Sequence, residues 1–137
     1  MFFDWSDDYL IHVESLDAQH QKIFMMVKVL HGYIESGQTQ LVMKKFVVEL
    51  INYTETHFSD EEKYMREIKV PDRFLQEEIE EHKELIRQVK DIETEFALRH
   101  KVCSQKLISF LVGWLKNHIV RLDKQIGEFA LEKSAKK

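Results

Sequence analysis

Seven residues of the chain combine metal-ligand chemistry with spacings that can bring them together. His57 and Glu61 stand four apart, as do Glu78 and His82; Asp123 follows His118 by five, and His20 stands alone. Side chains at i and i+4 lie one above the other on a helix face, so each such pair can aim at one centre. Imidazole nitrogen and carboxylate oxygen without thiolate suit iron, manganese or zinc. Seven ligands exceed the four of a closed tetrahedral site. They fit two metals, with carboxylates bridging.

These residues need helices to position them, and apolar periodicity supplies four. Helix A is expected over about 18–36, with Asp17 as its N-cap and the stripe His20, Ile23, Phe24, Val27, Leu30, His31, Ile34; Gly37 ends it. Helix B is expected over about 39–67, with Phe46, Val47, Leu50, Ile51, Thr54, His57, Phe58, Glu61 and Met65 on its stripe. Pro71 separates it from helix C, about 72–98. Helix D begins near 103 and carries Leu107, Leu111, Trp114, Leu115, His118, Ile119, Leu122, Ile126 and Phe129. Four amphipathic helices with short connections imply an all-α, up-down-up-down antiparallel four-helix bundle. The chain is read as one domain: an N-terminal arm over 1–16, the bundle over 18–132, and a frayed end at "KSAKK".

The ligand candidates sit on the stripes, not on the polar faces. A buried charge without a partner costs several kcal/mol, roughly. Three carboxylates and four imidazoles converging on one core make sense if cations neutralise them. A lone histidine on an apolar stripe is more often a hydrogen-bonded core residue. That reading is kept for His31, about 16 Å along the helix from His20. His12 and His100 read as surface or loop residues, Cys103 as structural or incidental, and Glu77, Glu80, Glu81 and Glu84 as a solvated face.

Composition narrows the partners. The chain of 137 residues is 44% hydrophobic and 32% charged, with a net charge of −4. No basic surface argues for nucleic acid or anionic lipid. No apolar run reaches the ~20 residues of a membrane span. A single cysteine and an N-terminus without signal-peptide pattern make a cytoplasmic location the expectation.

The segments "SLDAQHQKIF", "HFSDEEKYM" and "WLKNHIVRLDKQIG", with Trp5 before them and a proline before helix C, resemble the hemerythrin family in its single-domain bacterial form. The resemblance implies two iron ions, bridged by an oxo or hydroxo group and by carboxylates, that bind dioxygen reversibly. It places His20 and His57 on the iron with an open position, His82 and His118 on the other, and Glu61 and Asp123 between them. It also implies an apolar oxygen pocket lined by Ile23, Phe24, Phe58, Trp114, Leu115 and Ile119.

Two features depart from a simple carry-over. The family's helix C usually bears two histidines four apart, and Glu78 stands where the first would be. At about 100° per residue Glu78 falls inside the apolar stripe, so it is expected to replace an imidazole on the second iron. The other reading leaves Glu78 out of the ligand set, with water in its place. Asp123 lies about 140° around an ideal helix from His118. Helix D is therefore distorted, or ends near 119–122, or the carboxylate reaches around its rim.

A third carboxylate lowers the charge of the site and favours the ferric state. The resemblance implies oxygen storage, delivery or sensing as the function, while the third carboxylate points toward turnover of oxygen or peroxide. The alternatives are a di-iron oxidase or peroxidase acting on oxygen or peroxide, or an iron-handling or iron-sensing protein.

Overall fold

The computed structural model describes residues 4–98 and 105–135. Its helices are α1 (Glu14–Glu35), α2 (Gln40–Glu67), α3 (Asp72–Leu98), α4 (Gln105–His118) and α5 (Lys124–Ala135), the last two joined by a π turn over Ile119–Asp123. α4, the π turn and α5 form the fourth rod of an all-α four-helix bundle, and no strand occurs among the described residues.

The ends of the helices follow local chemistry. Gly37, at φ 71°, closes α1: its N–H reaches Ile34 O at 3.2 Å, and Gln38 N–H reaches Tyr33 O at 3.0 Å. The Thr39 hydroxyl caps α2 by accepting from Val42 N–H at 3.2 Å. Lys69 ends α2 in the left-handed region, φ 57°, and Pro71 precedes α3. The expected start of helix D near 103, with Cys103 and His100, lies outside the described residues.

Two expectations need correction. α1 begins at Glu14, with Val13 at its N-cap, four residues before the expected start. Asp17 is not the cap. Its buried carboxylate accepts the backbone N–H of Ile11 at 2.8 Å and of His12 at 3.0 Å, tying the arm to the first turns of α1. At the other end, α5 runs to Ala135.

The arm runs back along α1, where the Asp4 carboxylate pairs with Lys28 at 2.7 Å. Trp5 meets Phe24 edge-on at 5.1 Å, and Tyr9 tilts against Phe24 at 5.2 Å. One end of the bundle is filled by apolar layers, among them Leu30, Val47, Leu85, Val89, Leu107 and Ile108. Next to them along the bundle lies a layer of seven buried polar side chains: His20, His57, Glu61, Glu78, His82, His118 and Asp123.

Candidate metal centre

Each of the seven comes from the buried stripe of its helix. α1 supplies His20, α2 His57 and Glu61, α3 Glu78 and His82, α4 His118, and the π turn Asp123. The π turn resolves the awkward spacing of the last pair. Lys124 N–H bonds to Ile119 O, five residues back, so this turn holds one residue more than an α turn. Asp123 is thereby carried round to the face of His118, and its Oδ1 lies 3.0 Å from His118 Nε2.

The seven divide into two overlapping groups. His20, His57, Glu61 and Asp123 form one; Glu61, Glu78, His82, His118 and Asp123 form the other. Glu61 divides its oxygens between them: Oε2 lies 3.2 Å from His57 Nε2 and 3.4 Å from His20 Nε2, while Oε1 lies 3.0 Å from His82 Nε2. Asp123 does the same, with Oδ2 at 3.2 Å from His20 Nε2 and Oδ1 facing His118. Glu78 Oε2 sits 3.0 Å from His82 Nε2 and 3.1 Å from His118 Nε2. Its side chain is completely buried, so the sequence register that put it on the dry face is the observed one.

Several of these atoms are short of partners. His20 Nε2, both Glu61 oxygens, Glu78 Oε1, His82 Nε2 and Asp123 Oδ1 are buried without a hydrogen bond. Buried polar atoms are nearly always hydrogen-bonded, and a cluster of exceptions calls for an ion. Nitrogen and oxygen donors aimed at shared points between helices fit cations of the iron, manganese or zinc type.

Charge within the layer follows from the same crowding. Burial would depress His20, but the Asp123 and Glu61 carboxylates reverse this and hold it up at about 9. Burial also opposes the charge on His82, and Glu61, Glu62 and Glu78 outweigh it, to about 11. His118 is likewise raised well above its ordinary range, against burial, by Asp123 and Glu78. Glu61 is held well below the carboxylate range: burial pushes it up, and the surrounding imidazoles prevail. Burial and Glu61 push Asp123 up, but His118 and His20 bring it to about 2. Glu78 goes the other way. Burial and the Asp123 charge outweigh its histidine contacts and raise it to about 7.

A second ring of residues holds the imidazoles from behind. Gln19 Oε1 lies 2.6 Å from His57 Nδ1, and Gln19 Nε2 donates to Asp60 at 2.9 Å. Glu62 Oε2 is 2.8 Å from His82 Nδ1, and Glu81 Oε1 is 2.9 Å from His118 Nδ1. Arg121, in the π turn, pairs with the other oxygen of Glu81. Glu81 is thus not part of a solvated face, as its sequence position suggested; it bridges α3 to the fourth rod. Nothing in local spacing pointed to Gln19, Glu62 or Glu81, because each serves a histidine on another helix.

The apolar residues expected around an oxygen pocket distribute unevenly. Phe58 stacks on His82, with centroids 3.8 Å apart and planes 4° apart, and Trp114 stacks on His118 at 4.4 Å and 13°. Both aromatic rings therefore wall the group that contains Glu78. Ile23, Leu115 and Ile119 are buried in the core, and Phe24 packs in the aromatic cluster of the arm.

A family model described as the hemerythrin HHE cation binding domain matches residues 12–130. The chain belongs to the hemerythrin family. It is 28% identical over 130 residues to a bacteriohemerythrin of Clostridium acetobutylicum, covering 90% of this chain and 97% of that one. A bacteriohemerythrin of Methylococcus capsulatus is 32% identical over 111 residues, covering 81% and 82%. One of Campylobacter jejuni is 26% identical over 125 residues, covering 88% and 90%. No solved structure shows a significant match. Among the described residues of this hemerythrin-family chain, no helix is long and apolar enough to cross a membrane.

Proposed function

We propose that this chain is a non-haem di-iron protein that binds dioxygen in its bundle core, for storage, delivery or sensing. The observation that supports this reading is the sharing of Glu61 and Asp123 between two donor groups, each carboxylate turning one oxygen to either side. Two cations held this way would be carboxylate-bridged, with an oxo or hydroxo group completing the bridge. Bound iron would supply the electrons that dioxygen draws on when it binds.

The residues divide the remaining work. His20 and His57 would hold one iron together with the two bridging carboxylates, and Glu78, His82 and His118 the other. The first group offers four side chains and the second five, so the first iron is where an exogenous ligand finds room. Leu115 and Ile119, both almost fully buried, would help exclude water from that side, with Ile23 and Phe24 behind His20. Gln19, Glu62 and Glu81 orient the imidazoles so that each presents Nε2 inward.

Glu78 supports a second reading. A third buried carboxylate lowers the net charge of the centre and favours the ferric state, as suits a di-iron oxidase or peroxidase that turns over oxygen or peroxide. Metal analysis together with the visible spectrum of the anaerobically reduced protein, before and after oxygen, tests both. About two irons per chain and a persistent oxygen-dependent band support oxygen binding. Two irons with immediate conversion to the diferric spectrum support turnover. One metal per chain, or zinc in a closed four-ligand site, overturns the di-iron reading.

A further inference from the structure

The two donor groups are backed differently. Behind His57 stands the neutral amide of Gln19, and His20 Nδ1 is buried without a hydrogen bond. Behind His82 and His118 stand two carboxylates, Glu62 and Glu81, at 2.8 and 2.9 Å from Nδ1. Both carboxylates are only partly exposed, at 20% and 26% of the side chain, so solvent screens them incompletely. Glu78 adds a further carboxylate on the inner side of the same two histidines. A carboxylate that accepts the Nδ1 proton of a metal-bound imidazole strengthens Nε2 as a donor and fixes the ring's orientation. An amide acceptor fixes the orientation with a much smaller effect on donor strength.

We propose that Glu62 and Glu81 are positioning residues that make the His82–His118–Glu78 side the electron-richer half of the centre, selecting the more highly charged ion, while Gln19 leaves the His20–His57 side poorer. The inference rests on the di-iron reading above. Three carboxylates, Glu62, Glu78 and Glu81, then act on one metal alone, and the shared Glu61 and Asp123 act on both. Arg121 offsets part of the Glu81 charge and holds that carboxylate toward the fourth rod. The inequality is built into the scaffold: Glu62 on α2 and Glu81 on α3 contribute to it without touching the metals.

Glutamine at these positions separates charge from orientation, because its amide oxygen still accepts from Nδ1. Wild type, Glu62→Gln, Glu81→Gln and Gln19→Glu are titrated anaerobically with ferrous iron, with circular dichroism confirming the fold, and the loaded proteins are titrated potentiometrically. Wild type should bind two ions. In Glu62→Gln and in Glu81→Gln one of the two should weaken by about 10–100-fold while the other keeps its affinity. One midpoint potential should rise with it. Gln19→Glu should tighten the opposite ion and draw the two midpoints together. Glutamine variants that match wild type in both affinities and both midpoints overturn the proposal, as do variants that weaken both ions equally. If wild type itself binds fewer than two ions, the di-iron reading fails and this inference falls with it.

Discussion

His118 and Asp123 are five residues apart in sequence, yet His118 Nε2 and Asp123 Oδ1 lie 3.0 Å apart on one face of the fourth rod. The π turn between them makes this face, and it leaves the other Asp123 oxygen 3.2 Å from His20 on α1. A carboxylate so divided should matter to both metals at once. Asp123→Asn should therefore weaken both ions together, whereas Glu78→Gln should weaken only one. Two-site metal titration checks this. If Asp123→Asn weakens a single ion, Asp123 is a terminal ligand and not a bridge.

Glu78 stands where the resemblance leads one to expect a histidine. Glu78→His should restore two imidazoles four apart, keep two irons and raise the reduction potential by removing one negative charge. An oxygen adduct should then persist longer than in wild type. Exposed Glu77 and Glu80 are the proper controls, since Glu81 is engaged with His118. Glu78→Gln with full iron, an unchanged spectrum and an unchanged oxidation rate would place Glu78 outside the ligand set.

Much of this candidate centre was readable from sequence because its donor side chains obey helix periodicity. Gly37 and Pro71 marked helix ends, and the register of the α3 stripe put Glu78 inside. The five-residue interval before Asp123 was at odds with a straight helix, but it left a distorted helix, a helix end and a reaching carboxylate open, and only the Lys124–Ile119 hydrogen bond identifies a π turn. What stayed hidden depends on contacts between helices. Gln19, Glu62 and Glu81 each face a histidine on another rod, and no single-helix pattern encodes that. Asp17 has the chemistry of an N-cap, but its buried carboxylate serves arm backbone instead.

Without metal, protons take over the charge balance, and this gives the stability a direction with pH. His20 and His82 have folded values of about 9 and about 11, above their ordinary 6.5. Their contribution is complete below 6.5 and is lost as pH rises through those values. Glu78, raised to about 7, adds a loss as pH climbs from 4.5 through 7. Asp123, lowered to about 2, keeps its contribution until strong acid. The metal-free protein should thus be most stable in mild acid and weaken steadily toward alkaline pH. Metal competes with the same protons, so iron affinity should rise over that range. Denaturant midpoints with and without chelator, measured from pH 5 to 10, check both trends; parallel profiles for the two forms would refute them.

Leu115 precedes His118 by three residues and is 4% exposed. It is proposed to wall the side of the centre open to small ligands. Leu115→Ala should leave iron content near normal, cost about 2–5 kcal/mol through the cavity it creates, and admit azide to the diferric protein faster. Stopped-flow azide binding is the measurement. Unchanged kinetics in a folded variant would assign Leu115 to core packing alone.

Gly127 and Gly32 should respond oppositely to the same substitution. A Cβ on Gly127 would lie 1.7 Å from the Ile11 carbonyl oxygen, so the arm approaches α5 only because that atom is missing. Gly127→Ala must push away the segment whose N–H groups Asp17 holds, and with it the Trp5–Phe24 contact. A cost of about 1–3 kcal/mol is expected, together with faster proteolysis within the arm. At Gly32, on the exposed face of α1, nothing lies within 4 Å of the added carbon. Gly32→Ala should stabilise by about 0.5–1 kcal/mol, the ordinary helix-interior gain. Thermal denaturation of the two variants, with arm cleavage followed in parallel, distinguishes them. If Gly127→Ala is as benign as Gly32→Ala and the arm stays resistant, the close passage of Ile11 over α5 does not anchor the arm.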